Sequence, residues 1–346
     1  MKTIAAILVE QRKPLVVDEV EVPKLGYGQV LVDIHASRIC GSQLGEIDGV
    51  KGPDRYLPHL LGHEAGATVL ETGPEVSQVK SGDRVVCHWR PGKGIEARPA
   101  VYDWKGRKTN AGWITTFQQF SVISENRMTK VPPDTDLELC CLLADTLTTG
   151  FGVIGNDAHL KVGESAVVIG CGGICLGVVL GAKLAGACPI IAVDLHDHKL
   201  ENAVRYGATH AINSAKQDFL LAARHILDGL PADVVVDGTG NAGVLEKALE
   251  LAGPRGRVIG VGVMPQERKL ALNTLQLHMG KTLRGSHGGE SQPAEDIPRI
   301  LRLQKAGKFE ASGFVSHRTS LEQINEAIAK MRSGESIHTI IKFGAS

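Results

Sequence analysis

The chain has 346 residues, enough for about two domains. Its 38 basic and 38 acidic side chains cancel, which leaves no electrostatic footprint for nucleic acid or an anionic membrane. Hydrophobic residues at 43% and charged residues at 22% suit a soluble globular protein with a substantial core, and 41 glycines favour tight turns.

Residues 1–10 are too short and too polar for a signal peptide and read as a first strand at 4–9. Further strands are predicted at 29–36, 67–72, 83–87 and 116–123, separated by turn signals at Pro14, Gly26, Gly28, Gly73–Pro74 and Gly82–Asp83. Many short strands broken by glycine and proline predict a β-rich, barrel-like domain. Near Asp145 the texture changes. Predicted strands at 166–169, 190–193, 234–237 and 257–261 alternate with predicted helices at 177–187, 198–206, 217–227 and 244–252. That alternation implies a parallel, doubly wound α/β sheet. Helices near 296–306 and 321–331 and a strand at 339–343 close the chain. No apolar run reaches the roughly 18 residues of a membrane helix. Cys40, Cys87, Cys140, Cys141, Cys171, Cys175 and Cys188 are odd in number and lack disulfide-type spacing. A reducing cytoplasm is therefore the expected setting.

The strand at 166–169 runs into Gly170-Cys171-Gly172-Gly173-Ile174-Cys175, which opens a helix. In such a turn, backbone amides at the positive end of a helix approach a pyrophosphate closely. The next strand ends in Asp194, roughly 20 residues further on, where a carboxylate accepts from the adenosine ribose hydroxyls and repels a 2′-phosphate. NAD is therefore expected over NADP. A glycine pattern alone is an ordinary strand-to-helix turn; the strand, helix and Asp194 together favour the nucleotide. Cys175 occupies the third glycine position, which predicts slight loosening of helix against strand. Lys199 reads either as a neighbour of the ribose or as a solvated lysine.

Cys40, His63, Glu64 and Asp145 are scattered along the chain. A thiolate, an imidazole and a carboxylate make a zinc set of the catalytic type, with the fourth position open to water or substrate. Taken singly, Cys40 is more often a small buried hydrophobe and His63 a satisfied core histidine.

The whole sequence resembles the zinc-containing alcohol dehydrogenases of the medium-chain dehydrogenase/reductase family. The resemblance is carried by Cys-Gly-Ser at 40–42, Gly-His-Glu at 62–64 and Gly-Asp-Arg-Val at 82–85. It continues with Thr-Thr-Gly at 148–150, the turn at 170–175 with Asp194, and Arg-Ser-Gly-Glu-Ser-Ile at 332–337. It implies a GroES-like catalytic domain over 1–146 and 288–346, and a Rossmann domain over 147–287. It implies hydride transfer between an alcohol (secondary alcohol, polyol or sugar-like) and NAD in a dimer or tetramer. Cys40, His63 and Asp145 fall on the zinc-ligand positions, the third of which is cysteine in many members. Glu64 matches a glutamate that enters the metal shell transiently, and Ser42 the hydroxyl that passes on the substrate proton. Gly170, Gly172, Gly173, Ile174, Asp194 and Lys199 match the nucleotide site. Thr149 lies by resemblance near the nicotinamide, and Val261, Val263 and Ser286 line that pocket. A zinc-free reductase of the same superfamily would lack the Cys40/His63/Asp145 set. A nucleotide-binding protein with a regulatory role would bind NAD and zinc without turnover.

Several positions depart from the family. Region 88–116 lacks the four cysteines that hold a structural zinc, so one catalytic zinc per chain is expected. Gln43 replaces an aspartate that orients the ligand histidine and is expected to accept the same hydrogen bond. Gly45 replaces the histidine that ends the proton relay, with His287 as a substitute or as a solvent-facing loop residue. Gly41 and His338 replace arginines that contact the cofactor pyrophosphate, which leaves His338 as a weaker cofactor contact. Gly66 stands one place earlier than the usual glycine, with no functional consequence expected. Region 88–116 also carries Trp89, Trp104 and Trp113 among six basic and two acidic residues. It reads either as a solvated loop pinned to the barrel by its tryptophans or a subunit contact, the favoured reading, or as a recognition surface for an anionic or polyhydroxylated substrate.

Overall fold

The computed structural model describes residues 1–344, which form two units, Thr146–Ser291 and the remainder of the chain on either side. In the first unit the strands are β1 (Lys2–Leu8), β2 (Val16–Glu21), β3 (Gln29–Ile39), β4 (His59–Leu60) and β5 (Glu64–Thr72). They continue with β6 (Arg84–His88), β7 (Val101–Trp104), β8 (Arg107–Asn110), β9 (Phe120–Ser124) and β10 (Met128–Lys130). The order β1–β2–β7–β8–β4 closes a barrel. The second sheet runs β10–β6–β5–β3 and then through Thr339–Lys342 to His317–Thr319, with β9 also on β3.

Strand β3 organises this unit. It is buried almost throughout because β5, β9 and Thr339–Lys342 all pair with it. The antiparallel register sets Ser37 opposite Ala65, so the end of β3 and the start of β5 lie side by side. Helix α1 (Gly41–Asp48) starts directly after β3, with Cys40 as its N-cap. Helix α2 (Leu137–Ala144) begins at Asp136, whose side chain accepts from Glu138 N, and lies on β5. Gly66 makes that approach possible: a Cβ there would stand 2.4 Å from Leu137 O. The shifted glycine is thus a packing requirement for α2. The helix breaks at Asp145, whose φ of −149° and ψ of −59° are not helical. Taken across the break, Leu137–Asp157 is long and apolar enough for a membrane span by composition, contrary to the sequence expectation. Most of its apolar window, 83%, is buried in the protein itself, as in a core helix.

The second unit contains β11 (Ala166–Ile169), β12 (Ile190–Asp194), β13 (His210–Asn213), β14 (Ala232–Asp237), β15 (Ala252–Gly260) and β16 (Thr282–Gly285). They form one parallel sheet in the order β13–β12–β11–β14–β15–β16. Its central strands are buried on both faces, which explains their unbroken β-branched runs. The helices are α3 (Thr146–Gly152), α4 (Gly173–Leu184), α5 (Asp197–Tyr206), α6 (Phe219–Ile226), α7 (Ala242–Leu251) and α8 (Leu275–His278). Helices α3 and α4 touch backbone to backbone, since a Cβ on Gly150 would lie 2.3 Å from the carbonyl carbon of Gly177. The barrel-containing domain and the doubly wound sheet expected from the sequence are both present.

Candidate metal centre and nucleotide site

The register of β3 against β5, together with the end of α2, gathers four residues distant in sequence. Ligand atoms of Cys40, His63, Glu64 and Asp145 all lie within 4.8 Å of one another. His63 Nε2 is 3.6 Å from Asp145 Oδ2, and Cys40 Sγ is 3.8 Å from the same oxygen. Tetrahedral zinc with bonds of about 2.0–2.3 Å separates its ligand atoms by about 3.3–3.6 Å. Both separations from Asp145 Oδ2 therefore lie within a few tenths of an ångström of the spacing zinc requires. Its charge points the same way. Burial opposes a proton on His63, yet Asp145, Cys40 and Glu64 outweigh it and hold the imidazole well above its ordinary pKa. The acidic donors thus favour a cation among them.

Glu64 is fully buried and clamped by Arg38, with Nε–Oε2 at 2.7 Å and Nη2–Oε1 at 2.8 Å. Glu64 Oε1 also lies 3.3 Å from His63 Nε2. Arg38 escaped the sequence reading because β3 was expected to end at 36. His338, expected at the pyrophosphate, is instead fully buried, and its Nδ1 accepts from Arg38 Nη1 at 3.1 Å. A side chain covered and engaged in this way does not reach a cofactor.

Gln43, in the first turn of α1, joins two of the candidate ligands. Its Oε1 accepts from Cys40 N at 2.9 Å, and its Nε2 abuts His63 Nδ1. The expected acceptor for the histidine is therefore occupied by a backbone amide. An imidazole that offers Nε2 to a metal carries its proton on Nδ1, so the amide must then turn its oxygen towards the ring. Ser42 presents an exposed side chain in the same helical turn.

Region 88–116 is part of the barrel wall. Its β7–β8 hairpin pairs with β2 and β4. Each tryptophan has its own task. Trp104 Nε1 donates to Asp18 at 2.9 Å, Trp113 lies under the Arg127 guanidinium, and Trp89 Nε1 donates to Asp145 Oδ1 at 3.2 Å. The buried Glu125 carboxylate accepts from the backbone N–H groups of Ser77, Gln78 and Ile95, at 2.6, 2.7 and 2.7 Å. One side chain thereby ties three stretches of chain together.

In the second unit, Gly170 (φ +86°) turns the chain from β11 towards α4, which Gly172 caps. A Cβ on Gly172 would meet nothing, so this backbone is open to a close neighbour, and Gly173 and Ile174 form the first turn. Cys175 does not loosen the packing as expected. Its thiol is buried against Gly238, where a Cβ would lie 2.2 Å from Sγ, so the glycine directly after β14 accommodates it. Asp194 Oδ2 accepts from Cys171 N at 2.7 Å and Oδ1 from His196 N at 2.9 Å. Lys199 lies partly exposed in the first turn of α5. Thr149 is buried in α3, Val261 is partly exposed and Val263 protrudes. Ser286 Oγ donates to Asp157 at 2.6 Å and accepts from Gly289 N at 2.9 Å, while His287 is exposed.

Residues 26–133 match the alcohol dehydrogenase GroES-like domain, and residues 173–305 match the zinc-binding dehydrogenase family. The chain is 33% identical to the alcohol dehydrogenase class-3 of Cereibacter sphaeroides, over 99% of this chain and 100% of that protein. It is 32% identical, with the same coverage, to the S-(hydroxymethyl)glutathione dehydrogenase of Paracoccus denitrificans. Among solved structures, an alcohol dehydrogenase zinc-binding domain protein from Burkholderia ambifaria superposes with a TM-score of 0.91 at 28% identity, over 100% of both chains. Benzyl alcohol dehydrogenase from Acinetobacter calcoaceticus gives 0.89 at 27% identity, over 99% of this chain and 100% of that one. The chain belongs to the zinc-containing alcohol dehydrogenases of the medium-chain dehydrogenase/reductase family.

Proposed function

We propose that the chain interconverts an alcohol and its carbonyl partner with NAD, using a single catalytic zinc held by Cys40, His63 and Asp145. The observation that carries this reading is the convergence of those three donors, with His63 and Cys40 3.6 and 3.8 Å from one Asp145 oxygen, within a cluster that favours a cation. Zinc bound there would supply a Lewis acid for the alcohol or carbonyl oxygen, and NAD the hydride acceptor. Ser42, exposed beside Cys40, takes the hydroxyl proton and hands it to water. Arg38 holds the Glu64 carboxylate oriented beside His63, ready to compensate charge when the fourth donor position changes hands. Glycines 170, 172 and 173 let backbone amides approach the pyrophosphate, and Asp194 meets the ribose and disfavours a 2′-phosphate. Thr149, Val261, Val263 and Ser286 flank the nicotinamide in this reading.

We read the chain as a cytoplasmic homo-oligomer. Seven unpaired cysteines support a reducing setting. The sheet-edge strand β16 and the exposed Leu275 and Met279 beside it support a subunit contact.

The test is a metal determination beside a substrate screen that follows NADH absorbance. The screen covers secondary alcohols, polyols, sugars, benzyl alcohol and S-(hydroxymethyl)glutathione. One zinc per chain and turnover of at least one alcohol are expected. Two tightly bound zincs, or zinc without any turnover, would refute the reading.

A further inference from the structure

We propose that Trp89 is a positioning residue for the metal: its indole N–H holds one oxygen of Asp145 so that only the other is offered to zinc. The proposal rests on the reading of Cys40, His63 and Asp145 as the ligands.

A thiolate presents one donor atom. A carboxylate presents two, can ligate through either or both, and swings about its own bond. An aspartate in a tight three-residue set therefore needs a second partner to fix it. Here the two oxygens are divided. Oδ1 accepts from Trp89 Nε1 at 3.2 Å. Oδ2 is the atom turned to Cys40 Sγ at 3.8 Å and His63 Nε2 at 3.6 Å, with Arg38 Nη2 3.8 Å away. An indole N–H suits the task because it donates only, does not ionise and cannot ligate zinc.

Trp89 is itself firmly held. It follows His88, which ends β6 opposite Glu64. His88 is fully buried, and burial pushes its pKa down to about 4, so the ring is neutral and must divide its nitrogens. Nδ1–H donates to Arg90 O at 2.8 Å, which leaves Nε2 to accept from Thr129 Oγ1 at 2.9 Å. The Trp89 carbonyl accepts from Arg127 Nη1 at 2.7 Å, and the Arg90 guanidinium stands 5.7 Å over the indole. The start of region 88–116 is thus braced on both sides of the residue that touches Asp145.

The experiment is zinc extraction from the zinc-loaded full chain by a competing chelator. Wild type, Trp89→Phe, Asp145→Cys and the double variant are compared. Trp89→Phe should weaken zinc retention by about 10–100-fold, the usual effect of removing a ligand's hydrogen-bond partner. In the Asp145→Cys background the same change should alter retention by less than about twofold, because a thiolate has no second oxygen to hold. Unchanged retention in Trp89→Phe overturns the proposal. An equal loss in both backgrounds does so too, since it marks a merely structural role. Indole NMR gives a second measurement without any variant. One of the three tryptophan N–H signals should move when zinc is withdrawn from wild type, and none moving would also overturn it. If wild type retains no zinc at all, the proposed function falls first and takes this proposal with it.

Discussion

Replacing Arg38 by methionine probes the electrostatics behind the metal centre. Arg38 and Glu64 are 2% and 0% exposed and share a bidentate contact at 2.7 and 2.8 Å. Charge-assisted hydrogen bonds contribute about 1.5–3 kcal/mol each, and removing one partner of a buried pair costs about 3–5 kcal/mol. The upper part of that range applies, because Glu64 stays sealed among Asp145, Cys40 and a single imidazole. Urea denaturation with chelator present removes any compensation by zinc. All three tryptophans lie in the first unit, so their emission reports that unit's unfolding by itself. At about 2–3 kcal/mol per molar urea, the midpoint should fall by about 1–2 M. Adding Glu64→Leu should recover at least half of the loss, since removing both charges is often nearly neutral. A midpoint shift equivalent to less than about 1 kcal/mol would refute the argument. So would a double variant no more stable than the single one.

Two further outcomes follow from the same physics. In the zinc-free chain His63 has a pKa raised above the ordinary 6.5, so its protonated form stabilises that fold fully below about pH 6.5. That stability is lost as pH rises through the raised value, whereas zinc, which must displace the proton, binds more tightly as pH rises. Melts of chelated protein and chelator competition between about pH 6 and 9 should therefore slope in opposite directions, and a flat zinc profile would contradict it. Gly238→Ala should lower the melting midpoint through overpacking of about 1–3 kcal/mol against Cys175, and Cys175→Gly on that background should restore it. No rescue would mean that the thiol is not what the glycine accommodates.

The nucleotide half was legible because its signals are local. β-Branched runs, glycine turns and amphipathic helices follow each other within a few residues, and the structure moves their ends by only a few positions. Strands β13 and β16 were missed because they are short edge strands with a polar composition. The first unit is a different problem, since its sheets are built from long-range pairings. Hairpin β7–β8 has the charged sequence of a solvated loop, yet its backbone closes the barrel. Arg38 was hidden by its own charge. A strand that runs Ser37-Arg38-Ile39 into the core breaks the apolar pattern, and the arginine is tolerable there because Glu64 across the sheet, with His338 and Asp145, engages its guanidinium. The candidate ligands could be named from residue types and resemblance, whereas Trp89 and the division of labour on Asp145 depend on register.

Asp194 offers a lesson for anyone wishing to redesign the dinucleotide preference. Its carboxylate, which the proposed function assigns to the ribose, already accepts from the amide of Cys171 inside the glycine turn. Exchanging it for a small neutral residue, the usual first move towards accepting a phosphorylated ribose, would orphan that amide and slacken the loop meant to cradle the phosphates. A successful swap would therefore have to supply a new acceptor at the turn together with the new cation, and a lone substitution should yield a poor enzyme for both dinucleotides.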